Sequence, residues 1–169
     1  MDLYELTIPV YIHALKNLDG WIEKSIAYAN AKKFKPEVLL AARLAPDQFA
    51  FVKQVQSACD TAKFVGSKLA GQEAPSHPDT EQTAEELRAR IKTCIDYLQS
   101  IPRSAFAGAE SRRCAHVWMQ GKGMRGEEYV RGYGLPNFFF HLTHAYAILR
   151  HNGVDLGKTD FLGKIPFID

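Results

Sequence analysis

The chain has 169 residues, 46% of them hydrophobic and 24% charged, and a formal net charge of +2. That length suits one domain around one buried core, and the composition is that of an ordinary globular protein rather than a disordered one. Scattered basic residues near charge balance leave no footprint for nucleic acid or an anionic membrane. Cys59, Cys94 and Cys114, odd in number and without a CxxC, fit reduced thiols better than disulfides or a zinc cluster.

The opening Met1-Asp2-Leu3-Tyr4-Glu5 lacks a basic region followed by an apolar run, and no later stretch reaches the roughly eighteen apolar residues of a membrane span. A soluble cytoplasmic protein is expected. From Leu3 to about Ala31, Val10, Ala14, Leu18, Trp21 and Tyr28 recur at helical spacing and predict helix one, with Pro9 either near its start or kinking it. His13 and Asn17 lie on the margin of that stripe and read as boundary residues. Pro36-Glu37 opens a brief helical turn through Arg43, and Pro46-Asp47 precedes a long helix from Gln48 to Ala70, closed by Gly71. Its broad apolar arc holds Phe51, Val55, Cys59, Ala62, Val65 and Leu69. Gln56 and Lys63 stand just beside this arc and Asp60 further round, so they form either a second wall of a pocket or a solvated rim with Asp60 and Lys63 as a weak surface pair.

Pro75 and Pro78 mark a surface crossing in which His77 is expected to be exposed. Thr83-Ala84-Glu85-Glu86 has capping-box spacing and begins a helix through Leu87, Ile91, Cys94, Ile95 and Leu98, stopped at Pro102. Gly108 to Arg125 lacks a helical period; Cys114, His116, Trp118 and Met119 with Gly121-Lys122-Gly123 predict a small two-stranded hairpin turned by the glycines. His116 reads as solvent-facing there, with a place at the bundle mouth as the other reading. Glu127 to Gly134 is a helical lead-in loosened by Gly132 and Gly134, so the last helix is bent or broken at that point.

That last helix carries the strongest signal. Pro136 suits a first turn and Gly153 a left-handed end, and at about 100° per residue Asn137, His141, His144, Ile148 and His151 share an arc of roughly 80°. Phe138, Leu142, Ala145 and Leu149 border the arc on one side and Phe140 on the other. The bundle is therefore expected to enclose imidazoles and an amide. The tail from Val154 to Asp169 reads as irregular, with Phe161, Leu162, Ile165 and Phe167 packing on either their own bundle or a partner subunit.

Four helices with a hairpin before the last resemble the DinB/YfiT-like bundle superfamily. Within it, Leu135-Pro136-Asn137-Phe138 onward, closing on Ile148-Leu149-Arg150-His151-Asn152-Gly153, is similar to an uncharacterised bacterial family. The likeness extends to Gln54-Val55-Gln56 with Asp60 and to Gly157-Lys158-Thr159-Asp160-Phe161-Leu162-Gly163. It implies an all-α fold, a four-helix bundle with a small β-hairpin before the last helix, as a single domain over residues 1–169. Many members of the superfamily hold a metal on three histidines, one from helix two and an HxxxH pair from helix four, and some are metal-dependent thiol transferases. On that pattern His141 matches the second histidine of the pair and Asn137 stands in place of the first. The helix-two histidine is absent, with Gln56 the nearest residue by position and Asp60 a turn later. Two neutral amides and one imidazole make a poor site for zinc or another transition metal.

Three functions follow as expectations. One is a metal-free pocket in which Gln56, Asn137, His141 and His144 bind a small molecule. A second is a hydrolase-like or thiol-transferase-like enzyme with zinc or nickel on His141, His144 and Asp60. The third is a structural homodimer joined through the aromatic tail. No partnered nucleophile is visible, and Cys59 on the apolar arc reads as a buried small hydrophobe.

Overall fold

The Asp2 carboxylate accepts the backbone N–H groups of Tyr4 and Glu5 and so starts helix α1 (Leu3–Lys32) in the computed structural model, which describes residues 2–168. Pro9 lies inside α1, not at its start. After the brief α2 (Glu37–Leu40) comes α3 (Phe51–Ala70), which begins three residues after the expected Gln48 and ends on Gly71 in the left-handed conformation, φ 69°. Helix α4 (Ala84–Ser100) opens with the expected capping box: the Glu86 N–H donates to Thr83 Oγ1 at 3.1 Å, and the Thr83 N–H donates to Glu86 Oε2 at 3.0 Å.

The hairpin is real and minimal. Strands β1 (Arg113–Cys114) and β2 (Met124–Arg125) pair antiparallel, with Arg113 opposite Arg125 and Cys114 opposite Met124. Its turn takes positive φ at Gln120 and Gly121, and Gly123 does not share it. Helix α5 (Gly126–Tyr129) then runs through a π turn (Val130–Gly134) into α6 (Leu135–His151) with right-handed backbone throughout. The Leu135 N–H donates to the Val130 carbonyl, five residues back, so the expected break is a single widened turn. Gly153 closes this end with φ 91°.

Around the bundle α1 packs on α4, α4 on α3, α3 on α6 and α6 back on α1, the α3–α6 pair being the most extensive. Tyr11, Leu15 and Trp21 from α1 meet Val55 and Val65 from α3, Ile91 and Leu98 from α4, and Phe138 and Leu149 from α6 in one core. Each large side chain so buried contributes roughly 1.5–3 kcal/mol. No helix among the described residues is long and apolar enough to cross a membrane.

The tail is more regular than expected and packs on its own bundle. It contains helix α7 (Lys158–Leu162), whose Asp160 carbonyl accepts Trp21 Nε1–H at 2.9 Å and whose Phe161 ring stacks on that indole at 5.5 Å. His13, as a boundary residue, reaches the Leu162 carbonyl at 2.7 Å through Nε2. His77 is half-buried instead of exposed, because the 72–82 crossing folds down onto α3 and α4.

A Cβ at Gly126 would lie 1.9 Å from the Ala109 carbonyl oxygen, whereas one at Gly20, inside α1, meets nothing within 4 Å. Gly126→Ala is therefore expected to destabilise by about 3 kcal/mol, and Gly20→Ala to stabilise by about 0.5–1 kcal/mol through helix propensity. Urea melts of the two variants, with opposite changes in midpoint, check both.

Candidate functional site

Helix α3 turns Val55, Cys59, Ala62 and Val65 to the centre of the bundle, and the stripe beside them carries Gln54, Ser57, Thr61 and Phe64 toward α6 and the hairpin. Across the gap α6 presents Asn137 and His141, one turn apart. Two side-chain hydrogen bonds cross it. His141 is 9% exposed, with Nδ1 2.8 Å from Gln54 Oε1. The Gln54 amide is oriented by its own Nε2–H, which donates to the Phe49 carbonyl at 3.3 Å. Its oxygen therefore faces the imidazole, Nδ1 must carry the proton, and Nε2 is left with a lone pair. Burial, with the nearby His144 and Lys53, pushes the His141 pKa down to about 4, so the ring is neutral at pH 7.

The second crossing bond runs from Asn137 Nδ2 to Thr61 Oγ1 at 2.7 Å, and the Thr61 hydroxyl in turn donates to the Ser57 carbonyl at 2.7 Å. One of the two Asn137 amide N–H groups is thus engaged, and Oδ1 stays free as an acceptor. These groups line a cavity of about 280 Å³ between α3 and α6.

The opposite wall comes from the hairpin and the π turn. His116 Nε2 lies 2.7 Å from the Tyr129 hydroxyl, and its ring stacks on Trp118 with centroids 5.7 Å apart. Trp118 meets Tyr133 at 5.4 Å, and Phe64 turns toward the His116 ring, edge to face, at 5.9 Å. Burial, helped by Lys68, pushes the His116 pKa to about 4 as well. At the rim, Asp60 Oδ1 receives Arg90 Nη2 and Lys63 Nζ, each at 2.9 Å. Lys63 is 2% exposed, so this pair is an interior contact rather than the expected surface one.

Of the residues expected to bind a ligand, Asn137 and His141 come together and Asp60 joins them at the rim. Gln56 does not. Its amide donates to Glu81 Oε2 at 2.8 Å, and Gln54, two positions earlier and 200° round the helix, takes the place assigned to it. His144 is also absent from the cavity: its Nδ1 lies 2.7 Å from the Phe140 carbonyl of its own helix, and its ring packs on Phe140. His151 is exposed. His116, read as solvent-facing, is instead half-buried in the wall. Neither Trp118, expected only as a hairpin residue, nor Tyr133, within the expected helical lead-in, is legible as a wall residue, because neither segment's local pattern shows which surface it folds against.

The expected metal set of His141, His144 and Asp60 is not assembled. Among the described residues no three His, Cys, Asp or Glu side chains are grouped to hold an ion. His144 faces its own backbone and Asp60 is engaged by two cations, so the residues do not fit zinc or nickel. Cys59, Cys94 and Cys114 are buried; the hydrogen-bonding neighbour Cys94 and then burial raise the Cys59 thiol, and burial raises that of Cys114.

Residues 3–162 match a family described as a domain of unknown function, DUF1993. A crystal structure of a DinB family member protein from Shewanella denitrificans is 44% identical, with a TM-score of 0.95 over 99% of this chain and 95% of that one. No curated protein matches the chain.

Unfolding releases both buried imidazoles to an ordinary pKa of 6.5 from about 4. Between those values the unfolded chain binds more protons, so their contribution to stability is complete above pH 6.5 and is lost as pH falls toward 4. Gln54→Glu places a carboxylate against Nδ1 and is expected to raise the His141 titration midpoint toward 6.5, which narrows that window and shrinks its share of the loss. Nitrogen NMR of the imidazoles, with melts from pH 7 to 4, reads both effects. Unchanged His141 titration in the variant contradicts the assignment.

Proposed function

The chain belongs to the DUF1993 family, and on that premise we propose that it binds a small molecule in the cavity between α3 and α6. The observation that carries this reading is the buried, neutral His141. Its Nδ1–H is fixed by Gln54 and its Nε2 lone pair is unspent, one turn from the unspent Oδ1 of Asn137. Neither atom is sealed in the core, so two acceptors open to one concave, aromatic-walled space suit an occupant that supplies the donors. A neutral imidazole in this state accepts a hydrogen bond well and binds no proton of its own at pH 7. The volume of about 280 Å³ lies at the small end of ligand pockets.

Thermal melts across a metabolite library test the proposal. A cognate compound at about a hundredfold its Kd stabilises by about 2.7 kcal/mol, which raises the melting temperature of a chain of this size by about 5–10 °C. The rise should be present in the wild type and largely lost in Asn137→Ala and His141→Leu, each compared with its own ligand-free melt. Hits that stabilise all three proteins equally would place the ligand elsewhere and refute the pocket.

Zinc and nickel discriminate the metal-enzyme reading in the same assay. Neither ion is expected to shift the wild-type melt, because among the described residues no three His, Cys, Asp or Glu side chains are grouped to hold an ion. A metal-dependent rise abolished by His141→Leu would return an ion to this site.

A further inference from the structure

We propose that the cavity between α3 and α6 takes a small organic cation, an ammonium, amidine or guanidinium group on a flat body, with Asp60 Oδ2 as its counter-charge. The inference rests on the pocket reading above and specifies the chemistry of its ligand.

The lining contains no lysine or arginine. His116 and His141 are neutral at pH 7, so Asp60 carries the one formal charge on the wall. The cations nearest to it stand behind that wall. Lys63 Nζ lies over the Phe64 ring, 4.7 Å from its centroid, and meets Asp60 at Oδ1. Arg90 reaches the same oxygen from α4 and is shared with Asp79 at 3.0 Å and Glu81 at 2.9 Å. Both known contacts of the carboxylate thus converge on one oxygen; no hydrogen bond among the described residues reaches Oδ2, and the side chain keeps 29% of its surface open.

Hydrogen-bonding character points the same way. The N–H of His141, one of the two amide N–H groups of Asn137 and the hydroxyl of Thr61 are committed inside the protein, to Gln54, Thr61 and the Ser57 carbonyl. What they leave toward the cavity is mostly acceptor, His141 Nε2 and Asn137 Oδ1 against one remaining amide N–H, beside the Asp60 carboxylate. A carboxylate or phosphate would face three acceptors and a like charge. An amidine or ammonium brings two or three N–H donors and the opposite charge. The aromatic wall adds to this, since the negative faces of rings such as Trp118 and Tyr133 attract cations. The small volume limits the body to about one ring.

Benzamidine, benzamide and benzoate share a shape and differ in charge, so calorimetry of the full chain with each, alongside NMR of the Trp118 indole, decides the matter. Benzamidine is expected to bind with the indole perturbed, about tenfold or more tighter than benzamide, with benzoate weakest. Asp60→Asn should cost benzamidine about tenfold and leave benzamide nearly unchanged. Because Asp60→Asn also loosens Arg90 and Lys63, Asn137→Leu serves as the second variant: it removes one acceptor without touching the ion network and should again weaken benzamidine. Benzoate or benzamide binding as tightly as benzamidine overturns the cation while leaving the pocket reading intact. Absence of binding by all three, or benzamidine binding indifferent to both variants, also overturns it, and the library melts then decide the pocket reading separately.

Discussion

Helices α3 and α6 are joined by two side-chain hydrogen bonds, His141 to Gln54 and Asn137 to Thr61, and the chemistry of the site depends on how those bonds are oriented. Each commits one half of a two-sided polar group and leaves the other half facing the cavity. For His141 the commitment reaches back to the Phe49 carbonyl, which holds the Gln54 amide in the orientation that dictates the tautomer. Burial then keeps the ring neutral, because a proton on Nε2 would have to be held with little water and no carboxylate against the imidazole. The resulting acceptor is fixed by packing and needs no reorganisation when a donor arrives.

The π turn is the backbone feature that makes room for the second wall. The turn holds one residue more than an α turn, and Tyr133 within it lines the same wall as Asn137, four residues on. Gly134 makes this placement sterically possible, since a Cβ there would come within 2.9 Å of Val65 Cγ2 and 3.3 Å of the Tyr11 hydroxyl. Gly126 does the same against the Ala109 carbonyl, where the hairpin passes under the start of α5. The hairpin has only two paired residues per strand and little stability of its own. It is held because His116 bonds Tyr129 and its neighbours stack on the π turn.

Behind the cavity, Arg90 is the hub of an ionic network that ties α3 to α4 and to the crossing between them. It meets Asp60, Asp79 and Glu81, and Gln56 completes the shell of Glu81. A guanidinium this buried requires several anionic partners, and its planar fork suits reaching them in different directions. Asp60 thereby has two duties. Its Oδ1 belongs to the scaffold, and the residue as a whole lines the cavity.

Much of this architecture is written locally. The Thr83 capping box, Gly71 and Gly153 as left-handed ends, and the apolar spacing of α1, α3 and α4 each depend on residues within one or two turns, so those helices lie where the sequence places them to within a few residues. The resemblance to DinB-like bundles likewise holds across nearly the whole chain. The choice among the polar residues on each helix is another matter. Gln54 and Gln56 flank the same apolar arc, and His141 and His144 share one stripe, yet only Gln54 and His141 meet. Periodicity fixes angles between side chains of one helix but not the rotation of that helix against its neighbours. That rotation is set by the combined packing of the core, by close glycine contacts and by a π turn whose extra residue shifts every later side chain by about 100°. His116, Trp118 and Tyr133 come together for the same reason: the segment between α4 and α6 is shaped by the surface it folds against, so composition named its rings and only tertiary structure could aim them.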